Sequence, residues 1–105
     1  ACQMLDRGDE FSAVYAANDQ MANGVMCALR DRGLRVPEDV SVVGVDDSLA
    51  DYVPRSELTT VRFDMSQRGR IAFDYAVPER AGSATVAIRI PGTLVERSSV
   101  AEACR

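Results

Sequence analysis

Two polar pairs stand where an α/β chain can put them to use. Asn18-Asp19 closes the apolar run SAVYAA (residues 12–17), and Asp46-Asp47 closes the β-branched run VSVVGV (residues 40–45). An amide that donates and accepts, placed beside a carboxylate that only accepts, can bracket neighbouring hydroxyls on a polyol. That chemistry suits a sugar or a nucleoside. A plainer reading stays open beside it: Asn18 or Asp19 caps the helix that follows, and Asp46 and Asp47 do no more than solvate a turn. Acid–base catalysis by Asp46 and Asp47 is a poorer use of them, because adjacent strand residues point to opposite faces and rarely share one proton. Further along, Phe63 and Met65 flank Asp64 and can lay an apolar plate against a sugar ring, although such side chains more often fill a core.

Composition removes most other chemistry. The 105 residues carry 16 Asp and Glu against 12 Lys and Arg, for a net charge of −4, and contain no His. Every one of those cations is Arg. Without His there is no Ser-His or Cys-His nucleophile pair and no imidazole metal ligand. Without Lys there is no P-loop lysine, no Schiff base and none of the lysine that a phospho-accepting receiver domain needs. Cys2, Cys27 and Cys104 are far apart and odd in number, which fits a reducing compartment and argues against a metal site. The expectation is therefore a non-enzyme with no cofactor and no metal. No basic tract is available to hold nucleic acid, and no apolar stretch approaches the roughly 20 residues of a membrane span.

The elements that must position the polar pairs follow from periodicity. Residues 12–17 read as a short strand. Met21, Ala22, Val25, Met26 and Leu29 then recur at helical spacing, with Gly33 as the stop. Residues 40–45 read as a strand covered on both faces, so strand, helix and strand form a βαβ unit. In an open parallel sheet, ligands bind outside the carboxyl ends of the strands, which is where Asn18 and Asp46 fall. Tyr15, in the middle of the first strand, is assigned to packing, and Cys27 lies off the apolar face of its helix. Residues 1–8 (ACQMLDRG) read as a helix tail stopped by Gly8. Residues 58–63 (LTTVRF) form a third strand, and Asp64 with Gln67 makes a capping pattern for a helix over 64–77. Residues 85–90 and 93–100 are two further strand candidates. With 47% apolar and 27% charged positions, the whole reads as one domain or part of one.

Together these segments resemble a known family. The stretch YAANDQMANGVMCALRDRGLRVPEDVSVVGVDDS, then LTTVRFDMSQRGRIA, then LVERSSV, is similar to the carboxyl-terminal part of bacterial LacI/GalR-family transcription regulators. Three motifs in the family's order (AND, VPEDVSVVGVDD, LTTV) carry the likeness, which runs from Phe11 to Val100. Where such regulators have Pro-Pro-Leu before the Thr pair, this chain has Ser56-Glu57-Leu58.

The resemblance implies an α/β fold of the periplasmic-binding-protein-like type, with residues 1–105 as a partial effector-binding domain. The helix-turn-helix domain and amino-terminal subdomain of such regulators have no counterpart in these residues. It implies that Asn18 and Asp46 contact a small sugar-like effector, and that Phe63 and Met65 fall where close relatives place a polar and an aromatic effector contact. It further implies a cytoplasmic, bacterial regulator that meets operator DNA only through its amino-terminal domain. Homodimerisation is expected through the outer face of the 19–32 helix and the loop around Tyr52. The helix over 64–77 would leave an apolar face that a swapped or self-associated oligomer hides. The alternative reading is a periplasmic sugar-binding protein of a transporter.

Overall fold

The computed structural model describes residues 2–48, 56–76 and 87–102. The expectations for the Tyr52 loop, Val77, Thr85 and Cys104 lie outside these residues. The chain divides into two units, Ala1–Arg62 with Leu94–Arg105, and Phe63–Thr93.

The first unit is built on the β-branched runs. Helix α1 (Cys2–Asp6) leads to β1 (Ala13–Tyr15), α2 (Asp19–Arg30), β2 (Ser41–Val45) and β3 (Thr59–Arg62). A short β4 (Thr93–Val95) completes a four-stranded sheet in the order β1-β2-β3-β4. β1 pairs with β2 in parallel, Tyr15 opposite Val43, and β2 pairs with β3 in parallel, Val45 opposite Val61. Hydrogen bonds from Ser41 N to Ser12 O (2.9 Å) and from Ala16 N to Val43 O (2.9 Å) carry the first ladder one residue past each end of β1. The βαβ unit expected from the sequence is present.

Packing follows the two periods. Ala22, Met26 and Leu29 are buried on one side of α2, and Val42 and Gly44 are buried on the β2 face that meets it. Leu58, Val40 and Ala16 complete this core, with Leu5, Phe11, Val14, Val25, Leu34 and Val36 half-buried around it. Gly44 lets the helix approach: a Cβ there would collide with an Asp19 carboxylate oxygen and crowd Leu58. The opposite face of β2 is only half-covered, since Ser41, Val43 and Val45 are intermediate in exposure. β2 is therefore not sealed on both faces.

The packing role expected of Tyr15 fails for the same reason. Tyr15 is paired with Val43 on that less-covered face of an edge strand, and it is 69% exposed. Cys27 is exposed on α2, as its position predicts. Gly8 (φ +74°) and Gly33 (φ +75°) take the left-handed conformation expected of helix stops. Of the two late strand candidates, residues 93–100 supply only β4, and residues 87–90 form no strand. Alternation makes a strand only where a neighbouring edge is free to take its hydrogen bonds.

In the second unit, α3 (Met65–Ala76) begins where the capping pattern places it. The Asp64 carboxylate accepts from Gln67 N at 2.8 Å. α3 contains no buried residue.

Candidate functional site at the carboxyl edge of the sheet

Because β1, β2 and β3 run in parallel, residues that follow them gather along one edge of the sheet. Asn18 lies three residues beyond Tyr15, Asp46 and Asp47 directly follow Val45, and Arg62 ends β3. Each of these side chains is held differently.

Asn18 is the N-cap of α2. Its backbone is extended (φ −153°, ψ 169°), and its side-chain oxygen accepts from Met21 N at 2.8 Å. That use needs only the oxygen, so the amide nitrogen is not consumed by the cap. Asp19, the other candidate for this role, does something else. It is 1% exposed, and its Oδ1 accepts from the Thr60 hydroxyl at 2.6 Å, joining the start of α2 to β3. Its Oδ2 is buried without a hydrogen-bond partner among the described residues. The one sequence signal for this contact is Gly44 within an otherwise β-branched strand, which marks a close approach.

Asp46 and Asp47 both have positive φ, +100° and +58°. For residues other than glycine such conformations cost about 1–3 kcal/mol each and survive only where the surroundings fix them. Asp46 N donates to Val61 O at 2.8 Å, and its Oδ1 accepts from Ser48 N at 2.9 Å. The residue is half-buried, and its second carboxylate oxygen lies outside that turn bond. Asp47 is not the turn-solvating acid of the plainer reading. Its carboxylate is 4% exposed, with Oδ2 accepting from Arg62 Nε at 2.6 Å and Oδ1 from Arg97 Nη2 at 2.7 Å. Burial pushes this carboxyl up, but the hydrogen bonds from Arg97 and Arg62 outweigh it and hold it below the ordinary carboxylate value.

Arg97 is itself tied down. Its Nη1 donates to Leu58 O at 2.7 Å, and its backbone exchanges bonds with the Thr59 hydroxyl, N to Oγ1 at 2.9 Å and Oγ1 to O at 3.1 Å. Two residues on, the buried Ser99 hydroxyl donates to Val42 O at 2.6 Å and accepts from Thr59 N at 2.8 Å. The segment after β4 thereby knits β2 to β3. Nothing in the sequence pairs Arg97 or Ser99 with positions some 40 to 57 residues earlier.

Phe63 and Met65 belong to the second unit. Phe63 is half-buried, with the Arg68 guanidinium 4.9 Å from its ring centroid, a cation–π stack that occupies one face of the plate. Met65 is 64% exposed and its sulfur lies 3.8 Å from Arg68 Nη1. Neither is the buried core residue that its type most often becomes.

A family profile described as a periplasmic binding protein-like domain matches residues 3–100. The chain is 37% identical over 101 residues to the HTH-type transcriptional regulator GalS of Salmonella typhimurium, an overlap of 94% of this chain and 30% of that protein. Among solved structures, the lac repressor dimer bound to operator and the anti-inducer ONPF matches with a TM-score of 0.80 and 37% identity, over 94% of this chain and 35% of that one. A LacI-family regulator from Arthrobacter sp. FB24 in complex with lactose matches with a TM-score of 0.71 and 32% identity, over 95% and 38%. The chain thus spans about a third of the length of the proteins it matches.

Proposed function

Because the chain belongs to the periplasmic binding protein-like domain family, in the form carried by LacI/GalR-type transcription regulators, we propose that residues 1–105 are part of an effector-sensing domain. The ligand is a small sugar or nucleoside, and its binding shifts the full-length regulator between operator-bound and released states. The observation that carries this reading is the position of Asn18 and Asp46 after adjacent parallel strands, with an amide nitrogen and a carboxylate oxygen left over from local capping bonds. No bond is broken in this scheme, no cofactor or metal takes part, and the protein is not an enzyme. It acts in the bacterial cytoplasm, and operator DNA is met only by a domain outside these residues. Transport is not favoured, since the relatives matched are regulators.

Calorimetry on the full-length protein with lactose, D-galactose, ribose and adenosine tests the site. Asp46→Ala should weaken whichever of these binds by about 1–3 kcal/mol, through loss of a charge-assisted hydrogen bond. Unchanged affinity removes Asp46 from the site.

Self-association belongs to the same reading. Tyr15 and Met21, 69% and 57% exposed, border a shallow groove with Val14, Ala17 and Gly24 between β1 and the outer side of α2, which supports a homodimer contact there. The lack of any buried residue on α3 supports the swapped or self-associated alternative. A monomer mass independent of concentration in light scattering contradicts both.

A further inference from the structure

The chain passes between its two units twice, after Arg62 and before Leu94. Arg62 is the last residue of β3, and Arg97 lies three residues beyond Leu94. Both guanidinium groups meet on one carboxylate, Asp47, one on each oxygen. Asp47 in turn follows Asp46 directly, and the two share a run of positive φ that the backbone holds only under constraint.

We infer that Asp47 is a positioning residue: its carboxylate clasps, at one buried point, the turn that presents Asp46 and the two segments by which the chain enters and leaves the 63–93 unit. The inference rests on the reading of Asp46 as a ligand contact, and it adds a residue that would not itself touch the ligand. With both oxygens taken by arginines and 4% of the side chain exposed, Asp47 has little left to offer a solute. The neighbouring acids are divided between two tasks, one presented and one tied.

Arg97 has its second nitrogen on Leu58 O and its backbone on Thr59, so the Asp47 contact fixes the turn to a segment that is bonded to β3 independently of Asp47. The Asp46 N–H is bonded to Val61 O, one residue before Arg62. A shift of either crossing segment therefore pulls on the turn through short, charge-assisted bonds. Ligand contact at Asp46 and the positions of Arg62 and Arg97 become one mechanical element.

Amide hydrogen exchange on the intact protein reads this directly. The reporters are the N–H groups of Asp46, Ser48 and Arg97, with those of Val42 and Asp31, which donate to Ser99 O and Cys27 O, as references. Asp47→Asn keeps the shape and removes the charge. It should speed exchange about tenfold at all three reporters while the references stay within about twofold. Arg97→Lys, which keeps a charge but loses the planar fork, should give the same pattern more weakly, and it serves if Asp47→Asn does not fold. A rise shared equally by reporters and references means that Asp47 supports only global stability and overturns the clasp. So does a rise confined to one of the two segments, 46–48 or 97. The same proteins are then titrated with lactose, D-galactose, ribose and adenosine. If none binds the wild type, the ligand site fails while the exchange result still judges the clasp. If one binds and Asp47→Asn binds it as tightly despite a loosened turn, the positioning role fails and the site stands.

Discussion

The 46–48 turn of the first unit and helix α3 of the second are held in opposite ways. Around the turn each strained residue is fixed by several bonds: Asp46 by Val61 and Ser48, Asp47 by Arg62 and Arg97. Along α3 the cap at Asp64 and the Arg68 stack on Phe63 are local, and no residue of the helix is buried. The first unit holds every buried residue of the described core. Long-range contact fixes the turn in one region, whereas a 12-residue helix with no buried residue is marginal by itself and depends on packing for its stability.

Emptying the apolar core of the first unit should do the most damage. Leu29 is fully buried on α2, and Leu29→Ala should cost about 3–5 kcal/mol in urea denaturation through lost transfer energy and a cavity. An effect below 1 kcal/mol would mean that the core lies elsewhere.

Breaking the turn itself comes next. Asp47→Ala should cost about 3 kcal/mol, the low end for opening a buried ion pair, because Arg62 is more than half exposed and can rehydrate. Its pH dependence has a definite sign. The folded carboxyl lies below its ordinary value, so its contribution is full above about pH 4 and fades as pH falls through the folded value. The midpoint of denaturation should drop with acid in the wild type, and more shallowly in Asp47→Asn. Parallel profiles would remove Asp47 from the acid response.

The cap contrasts with both. Asn18→Ala should lose about 1 kcal/mol of stability by leaving Met21 N without its acceptor, and Asn18→Asp should restore most of that while changing ligand affinity. Stability and binding that move together in both variants would make Asn18 a cap and nothing more. Smallest of all, Met65→Ala on exposed α3 should change stability by less than about 0.5 kcal/mol, and a larger loss would reveal packing that the helix does not display.

What the sequence made legible was local. The α2 start at Asn18, its stop at Gly33, the β2 run and the α3 cap at Asp64 each depend on residues within a few positions of one another. The parallel sheet and the periplasmic-binding-protein-like class followed from order and motif. Contacts that depend on register stayed hidden: Asp19 with Thr60, 41 residues on, and Asp47 with Arg97, 50 residues on. Tyr15 was misassigned because a strand pattern does not say which face a helix will cover, and residues 87–90 because alternation does not supply a partner strand. For Asn18 and Asp46 the position was readable, while the oxygen each spends on a local hydrogen bond emerged only in three dimensions.

The most direct test of the account is amide exchange of the full-length protein with and without a saturating concentration of the sugar or nucleoside that calorimetry selects. The prediction is added protection in two separate segments, at 18–21 and 46–48, with the Val42 reference unchanged. Protection absent from 18–21 and 46–48, or gained only on the groove beside Tyr15 and Met21, would contradict a ligand held at the carboxyl edge of the sheet.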